Sequence, residues 1–325
     1  RVVVKPTEFK QDESLFYAFS QGGRSLVATE DLPSAALATD VVELGGLADM
    51  SATDLQKALT GKRVSVGPSI SAYGETMSGS STIKDLETLL QLNYLYFTAP
   101  RRDEEAFQTL MSILGSQLAN RDKNTKVAFS DSVQMMASDH SERTIILNKE
   151  MLEKVSLDKA LEIYKARFAN PADFTYLFVG NVDPNDEAFQ LQIRTWLGGL
   201  KTNKKRETAA DDKVRVSLGK IQNYFTRQME TKTASNRIQY TSYDMPYTLA
   251  NDLNMEMIGR ILSTRYLESI REREGGSYGV GCSGTMEIVP VPCARLIMQF
   301  DTDPEKQERL MSIIHEEVNT IVEND

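Results

Sequence analysis

The segment Arg271-Glu272-Arg273-Glu274-Gly275-Gly276-Ser277-Tyr278-Gly279-Val280 constrains the fold of this chain more than any other stretch. An apolar helix pattern runs into it through Met255, Ile258, Ile261, Leu262, Leu267 and Ile270. The pattern breaks at two glycines, and a strand-like run starts at Tyr278. A helix that reverses into a strand belongs to a mixed α/β domain. The reversal sets Arg271 and Tyr278 on either side of one tight turn. Arginine offers a planar fork of donors and tyrosine one hydroxyl donor, a set suited to a carbonyl oxygen or the oxyanion it becomes. The same residues also read as a surface arginine at a helix C-terminus, a glycine cap and a tyrosine opening a strand. The turn alone leaves both readings open.

With 325 residues, two domains are expected. A net charge of −9 and a pI near 5.0 argue against nucleic acid as a partner. No apolar run approaches the ~20 residues of a membrane span, so no transmembrane segment is expected. The chain opens at Arg1 inside the strand-like run Val2-Val3-Val4, without an initiating methionine, and reads as a fragment or processed product. Cys282 and Cys293 make no disulfide framework or CxxC pair. They read as two buried thiols, or as residues facing each other across a hairpin.

Short apolar runs at 1–5, 14–20 and 25–28 read as strands, with Gly22-Gly23 as a hairpin turn. Helices are expected at about 31–44 and 51–59, the latter capped by Ser51, and strands at about 62–68 and 70–77. A Gly/Ser cluster at 78–81 then breaks the pattern, with Ser81 placed to cap the next helix. That helix ends before Pro100, and further helices are expected at about 103–120, 156–169 and 184–198, with a strand at Phe174–Val179. The polar stretch 201–213 reads as a linker. Beyond it, strands near 214–218, 222–230 and 236–243 precede a long helix at about 248–272, a hairpin at about 278–301 and a helix from Asp303-Pro304 to about 322. Leu110-Met111-Ser112-Ile113-Leu114 and Leu310-Met311-Ser312-Ile313-Ile314, each following a proline, lie about 200 residues apart and suggest duplicated domains. The boundaries read as 1–203, a linker at 204–212, and 213–325.

Self-sufficient catalytic chemistry is missing. The chain has two histidines. His140 sits in a polar loop, and His315-Glu316-Glu317-Val318-Asn319 approaches a zinc-binding HExxH helix but has Asn in the second ligand position. There is no Gly-x-Ser-x-Gly elbow, P-loop or dinucleotide fingerprint.

The order of these elements, with several local phrases, resembles the insulysin/pitrilysin family of zinc peptidases, the inverzincins. More narrowly, it resembles the C-terminal half of the large bacterial envelope members. Val2-Val3-Val4-Lys5-Pro6-Thr7, Phe16-Tyr17-Ala18-Phe19 and Gly22-Gly23 resemble the opening of one repeat. Thr175-Tyr176-Leu177-Phe178-Val179-Gly180-Asn181-Val182-Asp183 resembles its last strand and turn. Arg271, Gly276 and Tyr278 resemble the Arg…Tyr pair of the final repeat. The resemblance implies an α/β (α+β) fold of two tandem repeats of the LuxS/mitochondrial-processing-peptidase-like metallohydrolase type. Each has a mainly antiparallel sheet with helices on one face, and the second repeat is truncated.

In such a family the catalytic repeat carries H-x-x-E-H on its first long helix, two zinc ligands and a general base. The corresponding helix here, Asp31 to Gly45, contains Asp40 and Glu43 but no histidine, so no metal ligand is expected in this chain. Zinc is expected in an N-terminal zinc-bearing half, on the same polypeptide or a separate subunit. The resemblance further implies that Arg271 orients the substrate, Tyr278 donates to the developing oxyanion, and Gly275, Gly276 and Ser277 lie against a bound peptide. The function implied is the non-zinc half of an endopeptidase acting on peptides or unfolded polypeptides in a closed chamber, inactive alone, in the periplasm or cell envelope. The alternative is a non-catalytic scaffold or binding subunit of the same fold.

Overall fold

The computed structural model describes residues 1–121, 123–203, 206–229, 232–277 and 279–323. The chain divides into two compact units, Arg1–Asn120 with Ile145–Asp212, and Arg121–Thr144 with Lys213–Asp325.

The first unit opens with strands β1 (Val2–Pro6) and β2 (Ser14–Gln21), then helices α1 (Leu32–Ala36), α2 (Ala38–Gly45) and α3 (Ala52–Ala58). Strands β3 (Val64–Ile70) and β4 (Gly74–Ser81) precede α4 (Leu86–Thr98) and α5 (Glu104–Arg121). Helix α6 (Thr125–Ala137) belongs to the second unit. The first unit resumes with α7 (Lys149–Glu153), α8 (Leu157–Arg167), β5 (Thr175–Gly180) and α9 (Glu187–Trp196). Its sheet has the order β1-β5-β2-β4-β3, antiparallel except for the β1–β5 pair. Period-two alternation along β2 sends Phe16 and Ala18 into the core with Met77, Tyr176, Phe178 and helix residues Val41, Leu89 and Leu90. Leu15, Tyr17 and Phe19 point the other way and stay exposed. Helices therefore cover one face of this sheet. Ser51 caps α3 as the sequence indicates, accepting from the Asp54 amide at 3.2 Å.

The second unit continues with β6 (Ala234–Ser242), α10 (Leu249–Tyr266), a π-helical turn over Leu267–Arg273, β7 (Gly281–Glu287), β8 (Cys293–Thr302) and α11 (Gln307–Glu323). Its sheet runs β6-β8-β7, wholly antiparallel. That order repeats β2-β4-β3 with a helix after the first strand and another after the third, so the two units share this three-stranded portion of their topology. The core is Leu262, Tyr266, Ile270, Leu296, Met298, Phe300, Leu310 and Ile314. Along α10 the buried spacing is Leu262, Tyr266, Ile270, while Ile261 and Leu267 of the expected apolar pattern are exposed.

Several expectations are corrected. Residues 25–28 form no strand. The 3₁₀ turn Gly23–Leu26 instead donates the Arg24 and Ser25 amides to the Ser71 and Ala72 carbonyls in the β3–β4 turn. The cluster at 78–81 does not break the pattern. It is the end of β4, where glycine permits a close strand approach: a Cβ on Gly79 would lie 2.0 Å from the Ser65 carbonyl oxygen. Helix α4 accordingly starts at Leu86, and Ser81 does not cap it. No strand forms at 214–218 or over the described part of 222–230. Leu218, Ile221, Tyr224 and Phe225 stay exposed, so no sheet receives them. Helices α6 and α7 occupy a region where the sequence pattern showed none. Finally, the two similar five-residue phrases are not equivalent. Helix α11 follows β8 as α4 follows β4, so the counterpart of the Leu310 helix is α4, not the Leu110 helix α5.

Candidate functional site

The end of α10 carries the residues singled out by sequence. Thr248 starts the helix by accepting from the Asn251 amide at 3.0 Å. Beyond Tyr266 the winding loosens into a π turn, a form frequent at functional sites. Two core residues bracket the change: Tyr266 is buried and donates to the Ile314 carbonyl at 3.1 Å, and Ile270 is fully buried. The turn ends in a left-handed glycine. Gly275 has φ 54°, and the Gly276 amide closes back on the Ile270 carbonyl at 3.1 Å. Gly276 is buried against Leu310, whose side chain would lie 2.8 Å from any Cβ there.

Hydrogen bonds from the end of β8 and the start of α11 fasten this loop. Thr302, buried, donates its hydroxyl to the Gly276 carbonyl at 2.6 Å. Lys306 donates to the Gly275 carbonyl at 3.2 Å. The Ser277 hydroxyl donates to the Asp301 carbonyl at 2.7 Å, so it is engaged in the turn itself. Thr302 and Lys306 were not legible from the sequence, because their role depends on the β8–loop approach rather than on any local motif.

Among the charged groups of this region, Arg273 pairs with Glu268 at 2.5 Å and Arg309 with Glu274 at 2.9 Å. Arg271 is exposed and has no ion pair or hydrogen bond among the described residues. Its fork of donors is available to a ligand. Tyr278 lies outside the described residues.

The other candidates resolve plainly. In register, Cys282 faces Met298 and Cys293 faces Glu287, so the thiols are not opposed across the hairpin, and both are free. Burial pushes the Cys282 thiol up to about 11, which keeps it protonated at neutral pH. His140 follows α6 in a turn with φ 55°. His315 is exposed, with Nδ1 2.8 Å from the Tyr240 hydroxyl, and its neighbour Glu317 pairs with Arg265 at 2.6 Å. On α2, partial burial pushes the Asp40 and Glu43 carboxyls up, Glu43 also through the Asp40 charge. No group of three His, Cys, Asp or Glu residues placed to hold a metal occurs among the described residues. No helix among the described residues is long and apolar enough to cross a membrane.

Comparison with known proteins matches this architecture. The probable zinc protease PqqL of Escherichia coli (strain K12) is 22% identical over 97% of this chain and 33% of its own length. A zinc protease PQQL-like protein of Arabidopsis thaliana is 26% identical over 98% of this chain and 32% of its own. The chain thus spans about a third of the length of the curated relatives it matches. The crystal structure of the periplasmic protease PqqL from Escherichia coli shares the fold, with TM-score 0.76 at 19% identity over 96% of this chain and 34% of that one. So does a peptidase M16 inactive domain from Pseudomonas fluorescens, with TM-score 0.69 at 15% identity over 99% and 76%. A family profile described as the peptidase M16 inactive domain matches residues 154–325. The zinc-peptidase resemblance read from the sequence therefore holds at the level of the family: this chain belongs to the M16 peptidases, through their inactive domain.

Proposed function

We propose that this chain is the non-zinc half of a zinc-dependent endopeptidase, acting on peptides or unfolded polypeptides in a closed chamber. It supplies substrate binding and oxyanion stabilisation to a metal site carried by another segment or subunit. The observation that carries this reading is the exposed guanidinium of Arg271, unpaired among the described residues and held at the end of a π turn beside a glycine loop fixed from three sides. An exposed arginine without a counter-ion is otherwise ordinary, but here two neighbouring arginines are both paired.

In this reading Arg271 orients a substrate carbonyl and the Tyr278 hydroxyl donates to the oxygen as negative charge develops on it. Gly275 and Gly276 allow the peptide backbone to approach, and Ser277 holds the loop. A periplasmic or envelope location follows from the Escherichia coli relative's description as a periplasmic protease. The scaffold reading is favoured by one finding, that the matching profile describes an inactive domain.

Peptide hydrolysis measured with this chain alone, and mixed with a polypeptide carrying H-x-x-E-H from the same source, separates the two. Chelator-sensitive cleavage only in the mixture supports the peptidase half. A stable complex without cleavage supports the scaffold.

A further inference from the structure

The two sheets present chemically different outer faces. That of the first unit carries Leu15, Tyr17 and Phe19. That of the second carries Ser235, Arg237, Gln239 and Thr241 from β6, aligned in register with Asp301, Gln299, Ile297 and Arg295 from β8. From β7, Gly281, Ser283 and Thr285 extend the last three rows. The opposite face of this sheet, through Leu296, Met298 and Phe300, is core.

Charges on the second face are compensated at its two ends. Asp301 has Lys126 at 3.6 Å and the Ser235 hydroxyl at 2.6 Å. Arg295 pairs with Glu287 at 2.5 Å. Between them, Arg237 has no carboxylate partner among the described residues. Its two terminal nitrogens donate to neutral amide oxygens, Gln239 at 3.0 Å and Gln299 at 3.5 Å. Those amides orient the guanidinium without neutralising it, in a chain whose net charge is −9. Partial burial, and then the neighbouring Arg295, push the Arg237 pKa down, the signature of a cation short of an anion.

We propose that Arg237, oriented by Gln239 and Gln299, is a subsite for a carboxylate side chain of an extended polypeptide. Its place gives the proposal a register. The row Arg237–Gln299–Gly281 ends on β7 just beyond the glycine loop, and Ser277 is tied to Asp301 in the adjacent row. Two inter-strand spacings separate Arg237 from Gly281, roughly 10 Å, or about three residues of extended chain lying across the strands. The subsite therefore selects an acidic residue about three positions from the one held at the glycine loop. This placement rests on the reading of that loop as a peptide-binding site, whereas the carboxylate preference itself does not.

The test is binding rather than catalysis, on the chain as it stands. A dye-labelled nonapeptide of valine and threonine with one central glutamate is titrated by fluorescence anisotropy, beside the same peptide with glutamine. The glutamate peptide is expected to bind about tenfold more tightly, with the advantage shrinking in high salt. Arg237→Gln should abolish the preference, Arg237→Lys should retain part of it, and Arg295→Gln should leave most of it. Equal affinity of the two peptides, binding of neither, or a preference that survives Arg237→Gln would overturn the subsite. Self-association of the chain that is lost in Arg237→Gln would assign the face to a second copy and overturn it too. Equal affinity of the wild-type chain for the two peptides, beside intact chelator-sensitive cleavage in the mixture, would sink the subsite alone and leave the peptidase reading standing.

Discussion

Gly259 on α10 and Gly284 on β7 bring a helix and an edge strand into direct backbone contact. A Cβ on Gly259 would lie 2.5 Å from the Gly284 nitrogen, and one on Gly284 would lie 1.9 Å from the Met255 carbonyl oxygen. Ser263 adds a hydrogen bond from α10 to the Cys282 carbonyl at 3.1 Å. The contact sets the line of the helix whose far end carries Arg271. In the first unit Gly67 is the fourth residue of β3, as Gly284 is of β7, but a Cβ there would meet a side chain rather than helix backbone, the Glu43 carboxylate of α2 at 2.5 Å.

Gly284→Ala should therefore destabilise the second unit by about 1–3 kcal/mol, because the obstructing atoms are backbone and the whole helix must shift. Gly115→Ala is the counter-case. Gly115 is exposed in the middle of α5 with nothing within 4 Å of an added Cβ, and alanine there should stabilise by about 0.5–1 kcal/mol. Urea unfolding of the two variants checks both signs. A neutral Gly284→Ala would show that α10 is free to move relative to β7.

In the proposed peptidase, once reconstituted, Tyr278→Phe deletes one hydroxyl donor. The turnover number should fall about 10²-fold with little change in KM, as for loss of an oxyanion donor. Arg271→Lys keeps the charge but loses the planar fork, and should raise KM if orientation of the peptide is its task. Unchanged turnover in Tyr278→Phe removes the proposed role. Wild-type kinetics in Arg271→Lys would mean that charge alone suffices.

Much of this was legible in the residues, and the failures have physical causes. The junction at Gly275-Gly276 is local chemistry: a cap needs φ > 0 and a close packing neighbour, and two glycines announce both. The strand at Thr175–Gly180 announces itself by the short aromatic and aliphatic run Tyr176-Leu177-Phe178-Val179, closed by Gly180. Alternation misleads at Val214, Val216 and Leu218, because a period-two pattern becomes a strand only where a neighbouring strand accepts its backbone. The Val216 amide instead donates to the Tyr243 hydroxyl at 3.2 Å. Composition misleads at 78–81, where Gly and Ser look like a loop but serve tight strand pairing. Thr302 and Lys306 are silent in sequence, since what they hold is a loop fixed by a different segment.

Glu75 makes a pH prediction for the first unit. It is 1% exposed, accepts from the Gly23 amide at 2.7 Å and the Ser20 hydroxyl at 2.9 Å, and lies 3.5 Å from Arg167. Burial dominates and pushes its pKa up, against the hydrogen bonds and Arg167, which pull it down. A raised folded pKa means that the folded state favours the protonated acid. Its contribution is fully present below the ordinary value of 4.5 and is lost as pH rises through the folded value. Glu75→Gln removes that loss while keeping an acceptor for Gly23. Unfolding of the variant and the wild type should therefore show the variant gaining relative stability from pH 4.5 upward. A variant that instead loses ground with rising pH would show that the Arg167 ion pair outweighs burial.

Asn93 makes the opposite kind of prediction, a gain by deleting polarity. It lies in α4 at core spacing from Leu86, Leu89, Leu90 and Tyr96, and it is 0% exposed. Neither its amide nitrogen nor its oxygen has a hydrogen-bond partner among the described residues. Such a group forfeits its hydration without recompense, which costs about 1–3 kcal/mol. Leucine keeps the branched skeleton with a methyl group in place of each polar atom, adds bulk, and suits the helix better. Asn93→Leu should raise stability by about 1–3 kcal/mol, seen as a higher urea midpoint with an unchanged slope. A lower midpoint would mean that the added methyl groups overpack the site, or that a buried water satisfies the amide and is lost with it, and either would overturn the gain.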